Sequence, residues 1–479
     1  MTQKLTVLYT NDIHSHFEKM PKIATALHQL RQKHRLDRVL TIDIGDHLDR
    51  MMMETEGTGG RANVEVMNAS GYEAFVFGNN EGLTFTPDMT SSIFSQYAQF
   101  PVIGSNIIDT QSRQKPAWME PYSIIEKNGL RIGLIGVTID FNLFYEMLGW
   151  HIKNPFETVR SLVQKLRSNV DLLFVMSHLG LPRDRELARR IKGIDCIFGA
   201  HTHHLLEEPL LESSTGTYIC AAGKFGDYVG ELELTFDPKQ KRIVSITGTC
   251  HDTDRFTNDV QVQKLITDYA KEAEANLNET VAILNEPLNI SWTSESTLGN
   301  LLADGLKRWT NAEIGLVNSG QILQSLQKGP VTKKRLLEIC PSPINPCRMT
   351  LSGKQIRKTL EESLVTEFVQ LPIRGFGFRG HVLGVICLSG ATVTYDLNRP
   401  DYEKIIAINI DDTELKLDQE YTVGTIDMFT FGLGYLALQE GRNVKFYLPE
   451  FIRHIIAKEL GDSASIERSK RATWIEQRE

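Results

Sequence analysis

Leu5-Thr6-Val7-Leu8-Tyr9-Thr10-Asn11-Asp12-Ile13-His14-Ser15-His16 is the stretch from which the fold can be read. An apolar run stops abruptly on Asn, Asp and His, and a short apolar run bounded in this way reads as a buried strand. The same figure recurs through the first half of the chain. Residues 39–44 stop on Gly45-Asp46-His47, and residues 74–77 on Gly78-Asn79-Asn80-Glu81. Residues 172–176 stop on Ser177-His178, and residues 196–198 on Gly199-Ala200-His201-Thr202-His203-His204. A further run covers 132–137, and helical spacing over 22–33 and 155–167 lies between some of the runs. Such alternation predicts an α/β layered domain.

Five strand ends therefore carry Asp12, His14, Asp46, Asn79, His178, His201 and His203. In open α/β sheets, ligands bind beyond the carboxyl ends of the strands, so residues distant in sequence should converge there. In extended chain, positions i and i+2 point the same way. Asp12 with His14, and His201 with His203, are expected to face one centre on that ground. Imidazole nitrogen and carboxylate oxygen suit Mn, Zn, Fe or Co. A bridging carboxylate can hold two such cations about 3.5–4 Å apart, where they acidify a shared water and neutralise phosphoryl oxygens. Any one of these motifs alone is a common cap or turn. Five in succession, each after an apolar run, argue for a metal centre.

The rest of the composition narrows the function. A net charge of −8 gives no general attraction for phosphate backbones, so a nucleic-acid partner is disfavoured. No apolar run approaches the roughly 20 residues of a membrane span, and the opening Met1-Thr2-Gln3-Lys4 has no leader-like apolar stretch. The expectation is a cytoplasmic protein with no membrane partner. Among the cysteines only Cys340 and Cys347 are close, at a spacing that fits no common zinc pattern. They read as small buried hydrophobes in a reducing compartment.

At 479 residues the chain has room for two or three domains. Its character changes near residue 255. Residues 258–279 lack Pro and Gly, and Val262, Ile266, Tyr269, Ala273 and Leu277 recur three or four apart, which predicts a helix. The expected organisation is a domain over 1–255, a connecting helix within 256–285 and a second domain over 286–479. The second domain mixes helical stretches (296–310, 352–364) with strands (391–395, 405–410).

These motifs resemble the calcineurin-like metallophosphoesterase domain of 5′-nucleotidases and UDP-sugar hydrolases. The family pattern Asn-Asp-x-His-Ser/Gly-His is matched by Asn11-Asp12-Ile13-His14-Ser15-His16, and the Gly-Asp, Gly-Asn, Ser-His and Gly-His-x-His/Gln motifs follow in family order. The last has one extra residue, Ala200. Ser296-Thr297-Leu298-Gly299-Asn300, Asn318-Ser319-Gly320, Leu351-Ser352-Gly353 and Thr392-Val393-Thr394-Tyr395-Asp396 resemble signposts of the family's C-terminal domain. The resemblance implies an α/β/β/α N-terminal domain and a mixed α+β C-terminal domain that binds substrate. It implies Asp12, His14 and His203 on one divalent metal, Asn79, His178 and His201 on a second, and Asp46 bridging. The implied substrate is a nucleotide or related phosphate ester.

The chain also departs from the pattern. The family's Gly-Asn-His-Glu-Phe-Asp, whose His assists phosphoryl transfer, reads Gly78-Asn79-Asn80-Glu81-Gly82-Leu83 here. An amide can donate a hydrogen bond but cannot protonate a leaving group. Asn80 therefore remains as a hydrogen-bonding catalytic candidate, and His16, His47 and His204 become candidate proton donors. In the C-terminal half, Leu323 stands where the family has a phosphate-contacting Arg, Met428 replaces a stacking aromatic and Leu433 a ribose-binding Asp. Asn318, Arg374, Phe376, Arg379 and Phe429 are the candidate substrate contacts. Alongside nucleotide phosphoesterase activity stand a phosphodiesterase or pyrophosphatase and a non-catalytic metal-bound nucleotide sensor.

Overall fold

A computed structural model describes residues 2–375 and 377–477. They form two compact units, Met1–Glu274 and Ala275–Glu479. The helix Val260–Leu277 runs through the junction. Most of it packs with the first unit, where Glu272 pairs with Arg61 and the Ala273 backbone lies so close to Gly57 that a Cβ there would collide.

The first unit is built on two sheets. Strands Gln3–Thr10, Val39–Asp43, Ala74–Val76, Val102–Ile103 and Met119–Glu120 run parallel, and the antiparallel strands Tyr228–Asp237 and Arg242–Asp252 close one edge. In the second sheet Leu130–Thr138, Leu172–His178, Cys196–Gly199 and Thr217–Cys220 are parallel, flanked by antiparallel Ser123–Lys127 and Leu210–Glu212.

Alternation along each strand explains the layering. In Leu172–His178, Leu172, Phe174 and Met176 join Leu5, Val7, Leu40, Ile42 and Val76 in a core between the sheets. Leu173 and Val175 face the other way, onto Val159, Val163 and Leu166 of helix Pro155–Leu166 and Leu187 of helix Leu181–Arg190. Strands buried on both faces must be apolar throughout, which is why they read as unbroken runs. Parallel strands also bring their carboxyl ends to one side, and the polar residues that end the runs collect there.

In the second unit, helix Thr297–Thr310 packs on a five-stranded sheet ordered Ile386–Ser389, Ile314–Asn318, Glu420–Ile426, Pro346–Ser352, Arg442–Phe446. A separate four-stranded sheet contains Ile405–Ile410, Ala391–Tyr395 and Trp474–Glu476. Among the described residues no helix is long and apolar enough to cross a membrane. The six cysteines are unpaired thiols, and all but Cys250 are buried.

Candidate metal centre

The strand ends meet as the apolar runs suggest, but not by extended-chain geometry. Asp12, His14, Asp46, His201 and His203 all have positive φ, between 48° and 72°. The expectation that i and i+2 side chains converge along extended chain is therefore corrected. The ligand-type side chains leave tight left-handed turns, conformations that cost free energy for non-glycine residues and persist only when the surroundings impose them. The surroundings here are cross-loop hydrogen bonds. Asp12 N–H donates to Gly45 O (3.0 Å), His14 N–H to Asp46 O (2.8 Å) and Ser15 N–H to His47 O (2.8 Å). The His201 N–H donates to the Asp12 carboxylate at 3.0–3.1 Å. Gly45 permits this closeness: at φ 89°, a Cβ would sit 2.9 Å from the Gly78 backbone and from His178 Nδ1.

Two groups of side chains result. Asp12, His14 and His203 offer ligand atoms within 4.8 Å of one another, as do Asp46, His178 and His201. The groups adjoin: His14 Nε2 lies 3.9 Å from both Asp12 Oδ1 and Asp46 Oδ2, and His178 Nε2 lies 3.2 Å from Asp46 Oδ2 and 3.9 Å from Asp12 Oδ1. Asn79, the first residue of helix Asn79–Thr84, puts Oδ1 2.7 Å from His201 Nδ1. All seven sequence candidates for metal binding thus share one location.

The donor set fits a cation. His178 is fully buried, and its Nδ1 can only donate to Ile44 O, 2.7 Å away, because a carbonyl only accepts. In the neutral ring this leaves Nε2 unprotonated, 3.2 Å from Asp46 Oδ2 and outside hydrogen-bond geometry. An orphaned buried acceptor among carboxylates is what a metal ligand looks like before its ion is counted. The electrostatics agree. Burial resists charge on His178, yet the Asp46 and Asp12 carboxylates raise its pKa to about 10, a measure of their pull on positive charge. Burial also resists charge on Asp46, but His178, His14 and the Asn80 N–H hold its carboxyl far below its usual value. His201 is kept neutral, its pKa lowered to about 4 by burial and by His178.

Asn80 reaches the group twice, with its backbone N–H on Asp46 Oδ1 (2.7 Å) and its amide nitrogen 2.9 Å from His14 Nδ1. The candidate proton donors fare differently. His47 is fully buried, neither ring nitrogen has a hydrogen-bond partner, and burial lowers its pKa to about 3. Held neutral, it lacks the imidazolium proton that a donor at neutral pH would give, which weighs against its reading as a donor. His16 pairs with Glu18 (2.6 Å) and lies over the Phe225 ring, outside both ligand groups. His204 is exposed and bonded to Thr202 Oγ1 (2.8 Å).

Two residues with site roles were not singled out from sequence. Glu81 is buried and accepts from the N–H groups of Asp46 (3.1 Å), Leu48 (2.9 Å) and Gly78 (3.0 Å), which holds the Gly-Asp turn in place. Burial and the nearby Asp46 raise its pKa to about 7. Asp49 is buried with Oδ2 3.3 Å from His14 Nδ1. Burial works against a charged His14, and Asp49 with Asp46 and Asp12 outweighs it, so the His14 pKa is raised. Glu81 lies inside the quoted Gly-Asn motif, which was a usable signal. Asp49 carries none.

The C-terminal substrate candidates differ in how far they are buried. Asn318 is buried and already committed, its amide donating to Leu383 O (2.6 Å) and its oxygen accepting from Gln321 (3.0 Å). Phe429 is 0% exposed and packs near Tyr435, so it offers no free face for a base. Arg374 is exposed, and Arg379 is half-buried with Nη1 near Phe378 O (3.4 Å). Phe376 lies outside the described residues.

Comparison with known proteins follows the same division. Residues 5–205 match the calcineurin-like phosphoesterase model, and residues 275–439 match that of the 5′-nucleotidase C-terminal domain. The metallophosphoesterase YunD of Bacillus subtilis is 36% identical over 96% of this chain and 100% of its own length. The snake venom 5′-nucleotidase of Crotalus adamanteus is 24% identical over 94% of this chain and 81% of its own. The solved NAD nucleotidase of Haemophilus influenzae shares the fold, with a TM-score of 0.70 at 16% identity and full coverage of both chains. This chain belongs to the calcineurin-like metallophosphoesterases that carry a 5′-nucleotidase C-terminal domain, and is a metal-dependent phosphoric ester hydrolase.

Proposed function

We propose that the chain hydrolyses a phosphate ester or anhydride of a nucleotide at a two-cation centre, and that it favours substrates whose leaving group needs no proton. Asp12, His14 and His203 would hold one cation, and Asn79, His178 and His201 the other, with Asp46 between them. The observation that carries this is the pair of adjoining ligand groups around Asp46, with the His178 nitrogen buried and unpartnered. Divalent ions bound there supply a water that ionises near neutral pH and positive charge against the phosphoryl oxygens.

The chain's own groups do the rest. Cross-loop hydrogen bonds hold the ligand side chains before substrate arrives, so little reorganisation accompanies reaction. Asn80 can donate to a phosphoryl oxygen but cannot deliver a proton. His47 is held neutral by burial, His204 is exposed and bonded to Thr202, and His16, beside the Phe225 ring that also meets His14 and His203, is paired with Glu18. General-acid assistance is typically worth about 10²–10⁴ in rate, so poor leaving groups such as nucleosides should react slowly. Pyrophosphate-type bonds and activated esters escape that loss, which favours the pyrophosphatase or diesterase reading over simple mononucleotide hydrolysis.

The test combines metal content with turnover. The purified chain should hold two equivalents of Mn²⁺ and hydrolyse bis-p-nitrophenyl phosphate or a UDP-sugar faster than AMP. Two bound equivalents with no turnover of any ester would point to the sensor reading. Failure to bind any divalent ion would remove the proposal altogether.

A further inference from the structure

We propose that Asp49 is the positioning residue that fixes the tautomer and ring orientation of His14 for the cation shared with Asp12 and His203. The inference rests on the metal-binding reading above and adds a residue to it.

His14 turns Nε2 toward the ligand group, 3.3 Å from His203 Nε2 and 3.9 Å from Asp12 Oδ1. An imidazole nitrogen that binds a metal carries no proton, so the proton of His14 belongs on Nδ1 and needs an acceptor there. Two side chains face Nδ1. Asn80 presents its amide nitrogen at 2.9 Å, and the same nitrogen reaches Leu48 O at 3.3 Å. An NH₂ group is a donor, so it can hydrogen-bond only a bare Nδ1 and cannot receive the proton that metal binding at Nε2 requires there. Asp49 presents a carboxylate oxygen at 3.3 Å, and an ionised carboxylate only accepts. Asp49 is also held for the task. Its N–H donates to Ser15 Oγ (2.7 Å), next in the chain to His14, and its Oδ1 accepts from Met51 N–H (3.0 Å). Thr55 and Asn63 donate to the same Ser15 oxygen at 2.8 and 2.9 Å, so the brace is buried and cross-linked. A carboxylate behind a ligating imidazole locks its tautomer and raises its basicity.

Asp49→Asn is the discriminating variant. A carboxamide has one oxygen, which can accept from Met51 or from His14 but not both. A merely structural Asp49 would survive this change, whereas a positioning one would not. Chelator competition on the Mn²⁺-loaded full chain should show one of two equivalents weakened by about 10–100-fold in Asp49→Asn. Wild-type affinity for both equivalents in the variant overturns the inference and leaves the metal centre standing. A wild-type chain that binds no cation overturns both. Should Asp49→Asn fail to fold, the wild-type protein decides alone. In the Zn²⁺-loaded, ¹⁵N-histidine-labelled chain, the His14 ring, assigned with His14→Gln, should carry its proton on Nδ1, and a proton on Nε2 overturns the inference.

Discussion

The two units depart from their family in opposite ways. In the first, every ligand-type residue is present and the side chains meet around Asp46, while a residue that touches no metal, at position 80, has changed. In the second, the sheet and helix framework persists, while the positions expected to touch substrate are filled by Leu323, Met428 and Leu433 or folded into the interior. The difference teaches where constraint lies. A metal centre needs several donors at once, so the loss of one collapses the set. A substrate pocket can be rebuilt residue by residue, because each contact is worth only a few kcal/mol.

The largest expected effect breaks the first side of that comparison. Asp46→Asn removes a carboxylate that lies against His178 of its own group and His14 of the other, and kcat/KM should fall at least about 10²–10³-fold with loss of bound metal. Full metal content and activity in this variant would contradict the bridging role. The next largest sharpens it. The double substitution Asn80→His with Leu83→Asp restores a donor dyad and should raise AMP hydrolysis by about 10²-fold or more, with little change for activated esters. No gain on AMP would show that the site is organised around a different proton source.

Two smaller effects address the second unit. Phe429→Ala should destabilise the chain by about 3–5 kcal/mol in urea unfolding, since it empties a fully buried site, while Arg374→Ala should stay within about 0.5 kcal/mol. A rise in KM with unchanged stability for Phe429→Ala would return that ring to the substrate pocket. Asp427 gives a pH signature. Burial, only partly offset by the Asn345 and Met428 N–H groups, raises its carboxyl pKa to about 7. The folded state then binds a proton that the unfolded chain releases near pH 4. Its stabilising contribution is full below about pH 4 and is lost as pH rises through about 7. Asp427→Asn should therefore match wild type at pH 4 and exceed it at pH 8 by on the order of 4 kcal/mol. An equal difference at both pH values would contradict the assignment.

The strands and the ligand-type residues at their ends show in the amino-acid sequence. Strands buried on both faces have to be apolar, so each ends visibly where the chain meets water, and the ligands stand at those ends. Asp12, His14, Asp46, Asn79, His178, His201 and His203 were readable on that basis and are brought together. The turns that aim them were not readable, because nothing in Asp-Ile-His announces a positive φ imposed by Gly45 and Asp46 carbonyls from another loop. Glu81 acts through a contact 35 residues away, on Asp46, and Asp49 through an equally distant one, on His14, and spacing along the chain does not encode such contacts. Asn318 and Phe429 are buried, and a motif position says what a residue could touch but not whether the fold leaves it a free face.

A site that binds two cations but delivers no proton to the leaving group has a kinetic signature. Its most direct test is the dependence of kcat/KM on leaving-group pKa, measured with Mn²⁺ across a series of aryl and alkyl phosphate esters that ends in AMP. The account predicts a steep decline as the leaving group becomes more basic, with Asn80→His, Leu83→Asp flattening the slope. A flat dependence in the unmodified chain, with AMP turned over as fast as p-nitrophenyl phosphate, would contradict it.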